Sequence, residues 1–202
     1  MTPASIPAVL DSAALLPRLQ AGEVVVIPTD TLPGVAVMPD HAEAIWSIKQ
    51  RPPDKPLILM AATVEALFAH VDGCCHAAAS DLASQFWPGA LTLVLPASGR
   101  LVDKLNPGGR SLGCRIPACP ATQELLARSG PLATSSANLS GQPAAADARQ
   151  AARMFPELAQ LGPQPWPPHS GQASTVLAWE PSNNWLVLRE GAVMPSASVT
   201  AR

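Results

Sequence analysis

Seven short apolar runs, several bounded by proline or glycine, constrain this chain more than any other feature. Each is too short for a buried helix and the right length for a covered strand. They are EVVVIP at 23–28, LILM at 57–60, LTLVLP at 91–96, LGCRIP at 112–117, PLATSS at 131–136, STVLAW at 174–179 and WLVLRE at 185–190. Helix-like stretches separate many of them: DHAEAIWSIKQR from Asp40, TVEALFAH from Thr63, SDLASQFW from Ser80, PATQELLARSG from Pro120 and DARQAARMF from Asp147. In the first, Asp40 is placed to cap the opening turn with Glu43 three residues on, as in a capping box, and Ala44, Ile45 and Ile48 mark an apolar face. Pro52 disfavours helical geometry at Arg51, and Gly130 is placed to end the fourth helix. This alternation predicts one α/β domain.

The 202 residues are 48% hydrophobic, enough for a full buried core. One domain over 1–202 is expected, with its core at about 11–191 and a short flexible C-terminal tail. A net charge of −2 and a charged fraction of 14% exclude a protein-wide attraction to nucleic acid or an anionic membrane. Any anion site must be local. The opening MTPASIPAVLDSAALLPRLQ lacks a basic region followed by an unbroken apolar core. No later run reaches the roughly 18 apolar residues of a membrane span, so a soluble, cytoplasmic protein without a membrane partner is expected.

Cys74 and Cys75 precede His76, while Cys114 and Cys119 stand apart; without a second matched ligand pair, packed reduced thiols are favoured over zinc. GPQPWPPHSGQAS at 162–174 is too rich in proline for a helix or central strand. It reads as a surface loop, with a mobile lid as the alternative.

KQRPPDKPL gathers Lys49, Arg51 and Lys55, three of only 13 Lys and Arg, on a proline-stiffened connection into a strand. Cations ordered this way suit a triphosphate or carboxylate; a solvated helix end facing the C-terminal dipole is the other reading. IPTDTLPG sets Thr29, Asp30 and Thr31 directly after a strand, as ligand groups or as a turn bonded to itself. PLATSSANLSG packs Thr134, Ser135, Ser136, Asn138 and Ser140 together, and GGRSLGCRIP puts Arg115 inside a strand, where it needs an acidic partner or a ligand. No Walker A pattern is present, so phosphates are not expected to sit in a P-loop.

PTDT, KQRPPDKPL, WPGALTLVLP, LGCRIPACP, TSSANLSG and STVL...LREG, in this order from Gly22 to Gly191, resemble the YrdC-like L-threonylcarbamoyladenylate synthase family, called TsaC in its short bacterial form. The resemblance implies a twisted mixed β-sheet with surrounding helices and an open, positively charged cavity. It implies formation of threonylcarbamoyl-AMP and pyrophosphate from L-threonine, bicarbonate or CO2, and ATP, with Mg2+ held by the phosphates. The product would feed a downstream tRNA-modifying threonylcarbamoyl transferase complex, and direct contact with tRNA stays open.

By the same resemblance Lys49, Arg51, Ser136 and Asn138 form the family's K-x-R and S-x-N tetrad. Thr31, Met60, Arg115, Ser136 and Ser174 would bind threonine, with Arg115 forking onto its carboxylate. Arg51, Lys55, Ser111, Asn138 and Arg189 would bind ATP. After PTDT the family usually continues with an aromatic and glycine, but here Leu32-Pro33-Gly34 follows and the chain has no tyrosine. Pro33 is expected to give an apolar substitute wall. The chain ends soon after LREGAVMPSASVTAR, consistent with the one-domain form. A noncatalytic RNA-binding branch typically alters K-x-R, and a carbamoyl transferase domain of hydrogenase maturation normally sits in a much larger chain.

Overall fold

The computed structural model describes residues 7–52, 55–182, 184–195 and, for the backbone alone, 199–201. Pro53 and Asp54 of the stiffened turn, and residues 196–198 and 202 of the expected tail, lie outside the described residues. The helices are α1 (Ser12–Gln20), α2 (Glu43–Ile48), α3 (Val64–Phe68), α4 (His76–Phe86), α5 (Arg100–Leu105), α6 (Pro120–Ser129) and α7 (Ala148–Met154). The strands are β1 (Val9–Leu10), β2 (Val25–Ile27), β3 (Gly34–Val37), β4 (Ile58–Met60), β5 (Leu91–Pro96), β6 (Ser111–Arg115), β7 (Leu132–Ser136), β8 (Gln160–Leu161), β9 (Thr175–Trp179), β10 (Trp185–Arg189) and β11 (Val199–Ala201). Among the described residues they form one mixed sheet in the order β1-β8-β2-β3-β7-β4-β6-β5-β9-β10-β11.

The apolar runs at the middle of the sheet become strands because the sheet is covered on both faces where they cross it, while β10 is buried only at Trp185. In β2 and β3, Val26, Val35 and Val37 join one core while Val25, Ile27 and Ala36 join the other, so VVVI needs no polar alternation. The first core is roofed by Ile45 of α2, Leu67 of α3, Leu82 of α4, Leu105 of α5 and Ala151 of α7. The second is smaller: Leu15 and Leu19 of α1 and Leu125 and Leu126 of α6 close over β2, β3 and the edges of β4 and β7. Ser12 Oγ donates to Glu124 Oε1 at 2.6 Å and ties these two helices. Beyond Met60 the same face passes from apolar to polar, since Met60 pairs in register with Arg115, and Thr92 with Val176. That change marks where a ligand can reach the sheet.

Two local expectations are corrected. Asp40 does not cap α2: it lies in a 3-10 turn over Pro39–His41, and its carboxylate pairs with Arg100 at 2.8 Å instead. α2 therefore starts at Glu43 without a side-chain cap. Nor are all the thiols packed, because Cys74 is exposed. Cys75 and Cys114 are buried, and burial pushes their thiols up to about 11 and about 12. His76 stacks on Phe68 with ring centroids 4.9 Å apart.

Helix α1, with Pro17 inside it, and the short elements β1, β3, β8 and α5 escape the sequence reading, and β11 places part of the expected tail beside β10. The proline-rich segment is tied down as a loop: Ser170 N–H donates to the Asp30 carbonyl at 3.1 Å and Trp166 Nε1 to the Leu161 carbonyl at 2.7 Å. Among the described residues no helix is long and apolar enough to cross a membrane.

Candidate active site

The polar half of the second face opens into a cavity of about 380 Å³. Its lining brings together Arg51, Arg115 and Arg189, the hydroxyls of Thr31, Ser136 and Ser174, and the side chains of Met60 and Asn138. Among the described residues that line it there is no carboxylate. A larger cavity of about 700 Å³ lies elsewhere, but its cations are engaged locally, Arg100 with the Asp40 carboxylate at 2.8 Å and Lys104 with the Asp40 carbonyl at 3.3 Å.

The cations of KQRPPDKPL have three separate fates. Helix α2 ends in a left-handed turn in which the Arg51 N–H reaches the Trp46 carbonyl at 3.0 Å and the Gln50 N–H the Ser47 carbonyl at 3.1 Å. This is the double bond pattern that usually places glycine at the left-handed position, but Gln50 holds it with φ 50°. The turn sends neighbouring side chains to different places. Lys49 goes beneath the cavity floor and is 1% exposed. Its ammonium donates to Asn138 Oδ1 at 2.9 Å and to the Ser136 carbonyl. Ser136 Oγ donates to the same Asn138 oxygen at 2.6 Å, so the lysine pins the loop after β7 from below. Desolvation, with the nearby Arg51 charge adding to it, lowers the Lys49 pKa to about 8.

Arg51 enters the cavity, its Nη1 donating to Ser135 Oγ and its Nη2 to the Pro56 carbonyl, each at 3.2 Å. Lys55 is exposed and outside the lining; its carbonyl receives the Trp46 indole N–H at 3.0 Å.

Arg115 is buried at the end of β6, and its guanidinium is already oriented. Nε donates to the Gly89 carbonyl at 3.0 Å, Nη1 to Thr31 Oγ1 at 2.9 Å and Nη2 to Asp30 Oδ1 at 2.8 Å. A guanidinium has five N–H donors, so this pairing with Asp30 leaves the face toward the cavity able to receive an anion. Burial lowers the Arg115 pKa, Asp30 opposes the shift and Arg189 adds to it. Arg189 clamps the start of β9 through two bonds to the Ser174 carbonyl, at 2.8 and 3.1 Å, and one to Ser174 Oγ at 3.2 Å. Thr92 Oγ1 completes that corner 2.9 Å from Ser174 Oγ.

Nine of the eleven residues singled out in the sequence therefore line the cavity or, for Lys49, lie directly under it. Lys55 and Ser111 do not: Ser111 sits at the other end of β6, where its hydroxyl accepts from Asn106 Nδ2 at 3.4 Å. Pro33 is buried and is not part of the wall; Leu32 is the side chain that faces the cavity beside the missing aromatic. Sequence reasoning misses Asp30 as the acid that pairs with Arg115. The clue was Arg115, whose charge inside a strand required a carboxylate from somewhere, but the partner lies 85 residues away.

A twisted mixed sheet with one partly open face, three arginines converging on it and no acid among the described lining residues defines a class of α/β protein whose cavity suits small anionic molecules. The chain belongs to the Sua5/YciO/YrdC family, whose model, described as telomere recombination, matches residues 18–191. It is similar to the Threonylcarbamoyl-AMP synthase of Vibrio campbellii, 37% identical over 134 residues, which are 64% of this chain and 72% of the relative. It is 36% identical to the Bacillus subtilis protein of the same name over 72% of this chain and 42% of the relative. For the Bos taurus protein of that name the identity is 32% over 92% and 69%. Among solved structures, P. abyssi Sua5 complexed with L-threonine superposes with a TM-score of 0.80 at 29% identity, over 92% of this chain and 56% of that one. This chain thus spans about half the length of the Bacillus and P. abyssi proteins. E. coli YciO, with a TM-score of 0.72 at 22% identity, shares the fold.

Proposed function

We propose that the protein is a threonylcarbamoyl-AMP synthase, joining L-threonine, bicarbonate or CO2, and ATP with release of pyrophosphate. One observation carries this reading: Arg51, Arg115 and Arg189 surround a single cavity that has no carboxylate among its described lining residues and is lined also by hydroxyls and by the apolar Met60. The names of the relatives and the threonine-bound P. abyssi structure support it.

The reaction asks for no covalent nucleophile from the protein. Threonine's amine adds to CO2 to give a carbamate, a carbamate oxygen bonds to the α-phosphorus, and the bond to the bridging oxygen breaks to release pyrophosphate. Catalysis of this kind is positioning plus charge neutralisation. Arg115 holds the threonine carboxylate, with Thr31, Ser174 and Met60 completing that pocket, while Arg51 and Arg189 face the phosphates. Ser136 and Asn138 sit between, and Lys49 holds their loop in place while its charge acts from below. Lys55 and Ser111 contribute only if the nucleotide extends beyond the cavity. Mg2+ would arrive with the nucleotide and, with no carboxylate among the described lining residues, would be held by the phosphates. The product then passes to a transferase acting on tRNA.

The test is pyrophosphate release with ATP, Mg2+ and bicarbonate, with and without L-threonine and with serine as control. Release that requires both threonine and bicarbonate is expected. A folded protein that releases none, or releases it without threonine, refutes the reading.

A further inference from the structure

The ligand-facing groups Arg115 and Thr31 do not hold their own orientation. Thr29 Oγ1 donates its single hydrogen to the Leu32 carbonyl at 2.7 Å, and it accepts the Thr31 N–H at 3.1 Å. The hydroxyls of Thr29 and Thr31 lie 3.0 Å apart. Since the Thr29 hydrogen is committed, Thr31 must be the donor in that contact. Thr31 Oγ1 also accepts from Arg115 Nη1 at 2.9 Å, so only one lone pair remains for anything in the cavity. Thr31 is thereby fixed as an acceptor. Asp30, between the two threonines, fixes the other half: its carboxylate binds Arg115 Nη2 at 2.8 Å and also accepts the Ala118 N–H at 2.9 Å. Its carbonyl takes the Ser170 N–H of the proline-rich loop at 3.1 Å.

We infer that Thr29 and Asp30 are positioning residues that set the amino-acid pocket: Asp30 aims the Arg115 fork at a carboxylate, and Thr29 forces Thr31 to accept from the ligand's hydroxyl or amine. The inference rests on the synthase reading for its substrate. It follows that the two residues govern how an α-amino acid bearing a side-chain hydroxyl is held, and leave the nucleotide end untouched. A lone pair aimed at the ligand also disfavours a second acceptor there, so the pocket selects amino acids that present a donor to Thr31.

The experiment combines kinetics and calorimetric binding of L-threonine for wild type, Asp30→Asn, Thr29→Val and Thr29→Ser. Asp30→Asn and Thr29→Val are expected to raise the threonine KM and Kd at least tenfold while the ATP KM stays within about twofold. Thr29→Ser, which keeps the oxygen, is expected to restore threonine binding to near wild type. Should Asp30→Asn fail to fold, the Val and Ser pair at position 29 still separates the outcomes. Wild-type-like variants, equal rises in threonine and ATP KM, or a serine variant no better than valine overturn the inference while the synthase reading stands. A wild type that binds threonine without turnover refutes the synthase reading, and the Kd values alone then judge the positioning. A wild type that does not bind threonine overturns both.

Discussion

Lys49→Met separates the two things a buried lysine does here. The side chain is 1% exposed, and among the described residues its ammonium donates to an amide oxygen and a carbonyl, not to an acid. Burial holds its pKa at about 8 against an ordinary 10.5. In the unfolded chain the amine binds its proton more tightly, so between these two values the unfolded state carries more protons and stability rises with pH. The contribution is complete above the unfolded value and is lost as pH falls through the folded one. Worked through linkage, wild type gains about 2.5 kcal/mol relative to Lys49→Met between pH 7 and pH 10. Taking the difference between the two proteins cancels the linkage of the buried thiols of Cys75 and Cys114. A neutral amine still has two hydrogens for Asn138 and Ser136, so both contacts survive deprotonation. Methionine matches the length and removes the charge, but leaves the Ser136 carbonyl without this donor, at about 1–3 kcal/mol, while Asn138 Oδ1 keeps the Ser136 hydroxyl. At pH 7 the terms oppose one another, and the net change in stability is small. Activity is expected to fall about 100-fold, the scale of a 1 Å misplacement of reacting groups, because the loop carrying Ser136 and Asn138 loses its pin. Urea unfolding of both proteins at several pH values, beside pyrophosphate release at pH 7, checks the pair of effects. A stability difference that is flat or falls with pH refutes the argument.

Arg51→Ala is expected to abolish pyrophosphate release while leaving the circular dichroism spectrum unchanged, and near-normal turnover counts against its place at the phosphates. Arg115→Ala is expected to raise the threonine requirement far more than the ATP requirement; the reverse pattern means the two ends of the cavity are exchanged. Gly191→Ala puts a methyl 2.3 Å from the Ala173 carbonyl oxygen and 2.5 Å from Ser174 backbone, so β9 and β10 must part at the Arg189 clamp. Destabilisation of about 1–3 kcal/mol in urea with a raised ATP KM is expected, and an unchanged midpoint contradicts it. Gln50→Gly is expected to stabilise by up to about 1 kcal/mol by relieving the left-handed residue, read as a higher urea midpoint with activity retained.

The apolar runs at the middle of the sheet were legible because helices cover them, and coverage is written in composition; WLVLRE is the exception, since only Trp185 of β10 is buried. β3 was not: GVAV follows the polar turn at 28–33 so closely that the two merge in the sequence, although the turn exists to reverse the chain into that strand. α1 was obscured by Pro17, which stands in its second turn, while Asp11 caps the start by accepting the Ala14 N–H at 2.8 Å. The site was legible as a set of residue types and not as a geometry. Arg115 signalled its need for an acid, but only the register of β4 with β6 and the turn after β2 bring Asp30 to it.

The cluster of cations in KQRPPDKPL shows why proximity in sequence misleads about electrostatics. Three charges left together on a solvated helix end would be screened and would hold nothing firmly. One left-handed residue, Gln50, instead divides them between environments of different polarity. Arg51, always protonated, is sent to the cavity wall where a fixed charge is needed whatever the pH. Lys49, which burial can discharge, is placed where its hydrogens matter as much as its charge. Exchanging the two would therefore fail in both directions: an arginine under the floor could not shed its charge, and a lysine on the wall would lose the planar fork that meets two phosphate oxygens.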